Sequence, residues 1–300
     1  MAHRSASSHP SASSAEALAS SEAPRGVRIP AGWTGSVTEI DPGSTPGADG
    51  GKAEGEKALA GGVENLSELQ ERLYAASRGG DRRAVLLVVQ GMDTSGKGGI
   101  MRHVVGAVDP QGVDLTAFKA PTDEEKRHDF LWRIRPHAPA PGMIGVFDRS
   151  HYEDVLIHRV HGWADAAEID RRYAAIRDFE QELVDAGTTV VKVMLHISHA
   201  EQGERLMERL ERPDKHWKYN PGDVDERGHW DAYMDAYDAA LRATSTESAP
   251  WTVVPADRKW YARLVVQQLL LDALRAIDPQ WPTADFDVEQ EKQRLRATLG

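Results

Sequence analysis

The 300-residue chain contains no cysteine, which excludes disulfide bridges and metal sites with thiolate ligands. It has no run of roughly 18 apolar residues, so we expect no membrane span. The N-terminus lacks the basic start and apolar core of a secretory signal, and we expect a cytoplasmic protein. Lysine and arginine number 36 against 47 aspartates and glutamates. This acidic balance argues against nucleic-acid binding, which draws its affinity from a basic surplus.

Composition predicts where the folded domain lies. Eight serines occur within the first 21 positions, glycine and proline follow, and no hydrophobic period appears before about residue 65. We therefore predict a disordered or loosely docked tail over residues 1–60, in which Trp33, Val37 and Ile40 are apolar enough to dock. The prediction is one domain over residues 61–285 and a C-terminal tail over 286–300.

Beyond the predicted tail, strand-like and helix-like segments alternate, which predicts an α/β fold with a parallel sheet flanked by helices. Predicted strands cover residues 84–90, 114–120, 143–148, 189–197 and 251–255. Predicted helices cover residues 66–78, 97–108, 123–136, 168–186, 199–211, 226–243 and 257–277.

A glycine-rich turn, GMDTSGKGG, follows the first predicted strand. The spacing of Gly91, Gly96 and Lys97 fits the Walker A pattern, in which backbone N–H groups and a lysine hold phosphate. Phosphoryl chemistry is therefore the leading hypothesis, and a turn that merely joins a strand to a helix is the alternative. Gly98 stands where a serine or threonine usually holds Mg²⁺. The carboxylate of Asp93, inside the loop, is a candidate ligand in its place.

A second motif lies at the end of the strand predicted over residues 143–148, where Asp148 is followed by Arg149. A carboxylate at the tip of such a strand sits where α/β sheets bind ligands, and Asp148 is a candidate for Mg²⁺. The guanidinium of Arg149 offers paired donors to a phosphoryl group. The alternative is a helix cap followed by a surface arginine.

A third motif is a charged helix in which Arg205, Arg209 and Arg212 recur on one face. Lys215 and Lys218 extend the basic run beyond a proline. Glutamates alternate with these residues, so a solvated helix with surface ion pairs is one interpretation. The other is a lid that closes cations over phosphate and excludes water.

Five separated segments resemble the polyphosphate kinase 2 family, whose members move phosphate between inorganic polyphosphate and nucleotides. They are GMDTSGKGG, FKAPT, FDRSHYEDVL, RPDKHWKYNPGD and STESAPWTVVPADRKW, and the likeness spans residues 36–275. The resemblance implies a three-layer α/β/α P-loop kinase core, similar to thymidylate kinase, with a helical lid near residues 203–230. It also implies Mg²⁺ dependence, with Mn²⁺ as the alternative, and a homodimer or homotetramer.

The resemblance also implies roles for individual residues. Asp93 orients the acceptor phosphate and helps to hold metal, Lys97 binds phosphate, Asp148 serves Mg²⁺ and Arg149 stabilises charge during transfer. Lid contacts with polyphosphate are expected from Arg209, Arg212, Lys215 and Lys218. Phosphate or nucleotide contacts are expected from Gly91, Thr94, Gly96, Gly98, Gly99, Arg102, Lys119, Arg133 and Glu153. For Arg102, Lys119 and Arg133, a helix-surface or core-edge role is the open alternative.

The segment SHYEDVL resembles the class III subgroup, which phosphorylates both nucleoside mono- and diphosphates. Relatives restricted to diphosphates tend to have Trp-Tyr-Asn there. The resemblance thus implies AMP, ADP and ATP as nucleotides, with guanine nucleotides as alternatives, and makes Glu153 a candidate for selecting AMP. Many class III relatives have Asn where this chain has Asp148. This difference affects the set of ligands expected around Mg²⁺.

Two rival functions remain at this point. One is an ATP-dependent nucleotide or small-molecule kinase with the same core, which needs a base-binding pocket for its donor. The other is a non-catalytic module that binds nucleotide or polyphosphate. The FKAPT and HYEDVL segments argue against the first rival. The presence of Asp93, Lys97, Asp148 and Arg149 together argues against the second.

Overall fold

The computed structural model describes residues 24–299, in which six strands form one sheet. The strands are β1 (Val27–Ile29), β2 (Ala84–Gly91), β3 (Val113–Ala117), β4 (Ile144–Asp148), β5 (Thr188–His196) and β6 (Trp251–Pro255). Their order across the sheet is β1-β6-β5-β2-β4-β3. The edge strand β1 runs antiparallel to β6, and every other pair is parallel.

Helices cover both faces of the sheet. They are α1 (Lys52–Gly61), α2 (Val63–Arg78), α3 (Lys97–His103), α4 (Glu153–Val160), α5 (Ala166–Asp185), α6 (His199–Glu211), α7 (Gly222–Arg227), α8 (Trp230–Thr244), α9 (Lys259–Ile277) and α10 (Val288–Leu299). Side chains of α2, α3 and α9 join one buried cluster, and those of α4, α5 and α8 join another. The predicted three-layer α/β/α architecture with a mostly parallel sheet is confirmed.

The central strand β2 is buried on both faces, as its apolar run predicts. Leu86 and Val88 point into one cluster, whereas Val85, Leu87 and Val89 point into the other. This alternation follows from the two-residue period of a strand. Residues 84–91 therefore need apolar side chains at almost every position, and they form the centre of the domain.

The order of the strands brings the two phosphate motifs together. The chain leaves β2 for the edge strand β3, returns to β4 beside β2, and then crosses to β5 on the other side of β2. The parallel register sets Val89 opposite Asp148. The carboxyl ends of β2 and β4 therefore lie at the point where the connections change direction, which is where open α/β sheets bind ligands.

The described part of the predicted N-terminal tail is integrated with the domain. β1 completes the sheet, the side chain of Val37 is fully buried, and the Val37 N–H donates to Asp238 Oδ1 at 2.7 Å. The domain thus begins by residue 27, earlier than the predicted boundary at 61; residues 1–23 lie outside the described residues. Isolated apolar residues among glycines and prolines dock through single contacts, which leave no period in the sequence.

Other segments also differ from the predicted elements: α1 and α4 were not predicted, and β3 ends at Ala117. The helix predicted over residues 123–136 is replaced by short 3-10 turns at Glu125–Arg127 and Arg135–His137. Pro136 has no backbone N–H to donate, so an α-helix could not continue through this position without losing a hydrogen bond. The predicted C-terminal tail contains α10, none of whose residues is buried. Among residues 24–299, no helix combines the length and apolarity that crossing a membrane requires.

A glycine in α1 tests whether this helix is docked as the structure shows. A Cβ at Gly55 would overlap the ring of Trp260 in α9, so Gly55→Ala should lower the free energy of unfolding by about 1–3 kcal/mol. Urea denaturation measures this change. Gly61→Ala is the matched control, because a Cβ there meets no atom within 4 Å. Equal stability of the two variants would contradict the packing of α1 on α9.

Candidate active site

The glycine-rich loop between β2 and α3 has a backbone that only glycine can adopt at two positions. Gly91 has φ +152°, and a Cβ there would lie 2.7 Å from the Leu195 carbonyl oxygen and from Ser95 Oγ. Gly96 has φ +116° and precedes the first residue of α3. These two residues allow the chain to turn sharply out of the sheet, so that the loop opens towards solvent at the switch point.

Lys97 lies against this loop. Its Nζ donates to the carbonyl oxygens of Gly91 at 2.6 Å and Met92 at 3.2 Å. Burial lowers the pKa of the Lys97 ammonium below its ordinary value, and the neighbouring Arg149 lowers it further. The carboxylates of Asp93 and Asp148 act in the opposite direction. An anion bound beside Lys97 would relieve the same electrostatic cost, which favours phosphate at this position.

Arg149 joins the loop to the helix that follows β4. Its Nη2 lies 2.8 Å from Asp93 Oδ1, and its Nη1 lies 3.4 Å from Glu153 Oε2. These carboxylates, with Glu153 the stronger, raise the pKa of Arg149 above its ordinary value. The Arg149 backbone is left-handed, at φ +64°. Such a conformation costs roughly 1 kcal/mol or more for a non-glycine residue, so the surrounding contacts must hold it.

Glu153 is enclosed by polar partners. The side-chain amide of Gln90 is oriented so that it contacts both Glu153 and Ser150. Its nitrogen donates to Glu153 Oε1 at 3.0 Å, and its oxygen accepts from Ser150. Burial raises the pKa of Glu153, while the positive charges of Arg149 and Lys97 oppose that rise. A strand residue of β2 and the start of α4 thus fix the carboxylate that holds Arg149.

A buried ionic cluster supports the segment between β4 and α4. Tyr152 donates its hydroxyl to Glu180 Oε1 at 2.7 Å, and Lys192 Nζ lies 2.6 Å from Glu180 Oε2. All three side chains are buried. Removing one partner of such a cluster leaves an uncompensated charge and costs about 3–5 kcal/mol. The backbone three residues after Arg149 is therefore held firmly by the core.

An arm formed by α6, a 3-10 turn (Pro213–Lys218) and α7 stands over the loop. Arg205 of α6 is only 5% exposed, and its guanidinium is fully used. Nη1 donates to the carbonyls of Thr94 (2.9 Å) and Ser95 (3.2 Å), and Nη2 donates to Ala256 (2.7 Å) and Asp257 (2.8 Å). Nε contacts Glu201 Oε1 at 2.8 Å. Arg205 thus joins the arm, the loop and the entry to α9.

The other predicted lid residues divide into two groups. Arg209, Lys215 and Lys218 line a cleft between the arm and the loop, whereas Arg212 does not. Arg212 is about half exposed and pairs with Asp214 at 2.8 Å. α6 ends at Glu211 because Pro213 follows, so Arg212 leaves the helical face that the spacing predicted.

This main cleft has a volume of about 650 Å³ and a strongly basic lining. Among the described residues, nine lysines and arginines line it against four carboxylates: Lys97, Arg102, Arg149, Arg205, Arg209, Lys215, Lys218, Lys259 and Arg263, against Asp93, Asp148, Glu208 and Asp223. Within residues 24–299 its lining contains no Phe, Tyr or Trp; the imidazole of His103 is its one aromatic ring, and Ile100 and Ala262 are its apolar members. The cleft therefore suits an extended polyanion.

The structure brings most predicted phosphate contacts to this cleft. The predicted residues that line it are Asp93, Thr94, Gly96, Lys97, Gly98, Gly99, Arg102, Asp148, Arg149, Arg209, Lys215 and Lys218. Gly91 lies at the base of the loop, and Glu153 reaches the site through Arg149. Lys259 and Arg263 also line the cleft, and no motif predicted a site role for them; their i, i+4 spacing at the start of α9 could have indicated one.

Lys119 and Arg133 do not line the main cleft. Arg133 is buried, and its guanidinium contacts Asp154 Oδ2 at 3.2 Å and the Lys119 carbonyl at 2.7 Å. The Lys119 side chain is exposed. Arg133 therefore has the core-edge role that was the open alternative. Asp154 neutralises its charge, and its two contacts connect the segment after β3 to α4.

Two carboxylates are placed where a divalent metal could be held beside phosphate. Asp93 from the loop and Asp148 from the end of β4 both line the cleft. Within residues 24–299 no group of three or more His, Asp or Glu side chains forms a self-contained metal site. A site with one or two carboxylates suits Mg²⁺, which keeps waters and takes its other ligands from substrate phosphates. The donor set therefore fits Mg²⁺.

Comparisons with known proteins agree with this site. A family model for polyphosphate kinase 2 (PPK2) matches residues 50–282. The chain is 44% identical over 254 residues to an AMP/ADP-polyphosphate phosphotransferase of Meiothermus ruber, covering 85% of this chain and 94% of that protein. It is 42% identical to an ADP-polyphosphate phosphotransferase of Rhodopseudomonas palustris, covering 79% and 85%. The crystal structure of polyphosphate kinase 2 from Arthrobacter aurescens TC1 matches with a TM-score of 0.88 and 61% identity, covering 90% and 95%.

Arg205→Lys tests whether Arg205 positions the loop. Lysine cannot replace the five contacts of the guanidinium, so tripolyphosphate should bind about tenfold more weakly, as measured by isothermal titration calorimetry. Arg212→Lys, one residue beyond the end of α6, is the control and should change affinity by less than about twofold, because that side chain is exposed. Circular dichroism would verify that both variants are folded. Unchanged affinity in folded Arg205→Lys would contradict the positioning role.

Proposed function

The chain belongs to the polyphosphate kinase 2 family, and on that basis we propose that it transfers phosphoryl groups from inorganic polyphosphate to AMP and ADP. The observation that supports this donor is the lining of the main cleft. Nine basic side chains surround it, and within the described residues its lining offers no Phe, Tyr or Trp on which a nucleobase could stack, the small ring of His103 being its one aromatic group. Inorganic polyphosphate has a charge on every unit and no base, so it matches both properties.

In the proposed reaction, an oxygen of the acceptor's terminal phosphate forms a bond to the terminal phosphorus of polyphosphate. The bridging P–O bond breaks, and the electron pair stays on the shortened polyphosphate. Lys97 and Arg149 stabilise the charge on the transferring group, whose transition state is loose. The nucleotide oxygen is already ionised near neutral pH, so no general base is needed. Asp93 acts by orienting Arg149 and the acceptor.

We assign the divalent metal of this reaction as Mg²⁺, with Mn²⁺ as the alternative. Asp93 and Asp148 would hold it, since both line the cleft and Gly98 supplies no hydroxyl after Lys97. When bound, such an ion neutralises phosphate oxygens and orients them for transfer. The Asp148 carboxylate supplies a negative charge that an asparagine at the same position would lack.

We propose that both AMP and ADP are acceptors, and that Glu153 takes part in selecting AMP. Its carboxylate holds Arg149 Nη1, while Asp93 holds Nη2, so the direction of the guanidinium depends on Glu153. A shorter acceptor places its terminal phosphate differently with respect to Arg149, and a fixed guanidinium can favour one placement. Guanine nucleotides remain alternative acceptors.

The homodimer or homotetramer that the resemblance implies stays a prediction.

Two rivals are less well supported. An ATP-dependent kinase needs a surface for the adenine of its donor, and the cleft beyond the loop is lined by Arg102, Lys259 and Arg263 instead. A non-catalytic binding module has no need for an arginine held in a left-handed conformation between two carboxylates. The geometry at Arg149 is that of an electrostatic site prepared for charge that develops during a reaction.

The proposed function is tested by incubating the protein with AMP, Mg²⁺ and long-chain polyphosphate as the sole phosphate donor. ADP should appear first and ATP second, because ADP, the first product, is itself an acceptor. Chromatography of the nucleotides measures both. Formation of ATP from ADP, without any use of AMP, would contradict the class III assignment. Absence of transfer to either nucleotide would contradict the proposed function.

Asp93→Asn is the control that separates catalysis from binding. Asparagine can still accept a hydrogen bond from Arg149 but contributes no charge to a metal, so transfer should fall by at least about a hundredfold while polyphosphate binding remains. Asp123→Asn is the matched variant, because that carboxylate is exposed and far along the chain from the loop. Full transfer activity in Asp93→Asn would show that Asp93 has another role.

A further inference from the structure

We propose that a second groove beside the main cleft binds the distal units of a long polyphosphate chain whose reacting end lies at the loop. This inference rests on the proposed function, because it concerns the same donor. The second groove, called here the distal groove, has a volume of about 350 Å³ and lies between α1, the start of α6 and the start of α9. Its lining is Lys52, Glu56, Glu201, Asp257, Arg258, Lys259, Trp260 and Arg263.

The two grooves meet at two shared lining residues. Lys259 and Arg263 line both of them, one turn apart on α9. A chain that enters the main cleft can therefore pass from one pair of cations to the next without leaving the basic surface. A long polyphosphate chain that reacts at its end has many other units, and these must lie elsewhere on the protein or in solvent. The distal groove begins where the main cleft ends.

Arg263 is the residue that most clearly needs an anion. It is half-buried against Gly99 at the start of α3, and no carboxylate within residues 24–299 forms an ion pair with it. Burial lowers the pKa of its guanidinium, the distant Glu56 opposes this, and Arg102 lowers it further. A phosphate chain between the two grooves would supply the missing negative charge.

The acidic residues of the distal groove do not cancel its cations. Asp257 Oδ1 accepts from the Ser198 N–H at 2.7 Å, and Glu201 Oε1 accepts from Arg205 at 2.8 Å, so both serve the helical arm. Glu56 forms a long surface pair with Lys52, at 3.8 Å. Among the acids of the groove, Glu56 is therefore the one whose charge a passing polyanion would meet.

Two cations extend the path outwards. Lys52 is at the first turn of α1, with 73% of its side chain exposed. Arg258 uses its Nε to bind the Gly43 carbonyl at 2.9 Å, and its terminal nitrogens remain for other acceptors. Both line the distal groove and neither lines the main cleft. They should therefore act on long chains and not on tripolyphosphate, which fits inside the main cleft.

Opposite charge changes on α1 test the distal groove. Lys52→Glu should weaken binding of long-chain polyphosphate about three- to tenfold, and Glu56→Lys should strengthen it by a similar factor. Affinity for tripolyphosphate should change by less than about twofold in both variants. Lys57→Glu, an exposed α1 lysine outside the groove, is the matched control and should leave both affinities unchanged. Isothermal titration calorimetry measures all four proteins.

The outcomes separate this inference from the proposed function. Long-chain affinities that match those of Lys57→Glu in both variants would overturn the distal groove. Equal changes in the affinities for tripolyphosphate and for long chains would also overturn it. They would indicate that the substitutions act through the overall electrostatic potential of the surface and not through a contact that only long chains make. If the wild-type protein bound long chains in the expected pattern but transferred no phosphate to AMP, the proposed function would fail while the groove remained.

Discussion

The constraint on which the site depends is the confinement of nine basic side chains around one cleft, in a protein whose net charge is −11. Like charges at this density repel, so the surrounding structure must hold them. Arg205 is fixed by four carbonyls and a carboxylate, and Arg149 is fixed by Asp93 and Glu153. A bound polyanion relieves the repulsion that remains among these cations. The affinity for the donor therefore depends on how closely the folded structure holds them together.

The two ends of the cleft have different chemistry. Around Arg149 each guanidinium nitrogen that faces the site has a carboxylate partner, so the direction of the charge is fixed before substrate arrives. Towards α9, Arg263 forms no ion pair with any carboxylate of residues 24–299, and its charge is available to a phosphate unit that passes. A fixed end suits the acceptor, whose phosphate must be placed in line, and a less specific end suits a polymer of variable length.

Local stereochemistry could be predicted from the sequence, and long-range contacts could not. The turn from Gly91 to Lys97 requires glycine at two positions, and that requirement is visible in the chain itself. Asp148 could be placed because a parallel sheet has few topologies. Arg205, Arg209 and Arg212 share one spacing, yet Arg205 is buried at the cleft, Arg209 lines the cleft without being buried, and Arg212 is exposed outside it. Which of them packs on the loop depends on β6 and Pro213, and no periodicity contains that information.

The central claim is that the main cleft is built for a donor without a base. The most direct measurement is the ratio of kcat/KM for AMP phosphorylation with long-chain polyphosphate to kcat/KM with ATP as donor. The account predicts a ratio above about ten, because the adenosine of ATP finds no Phe, Tyr or Trp among the described residues of the cleft, only the ring of His103, and because ATP has fewer phosphates to contact the cations. A ratio at or below one would contradict it.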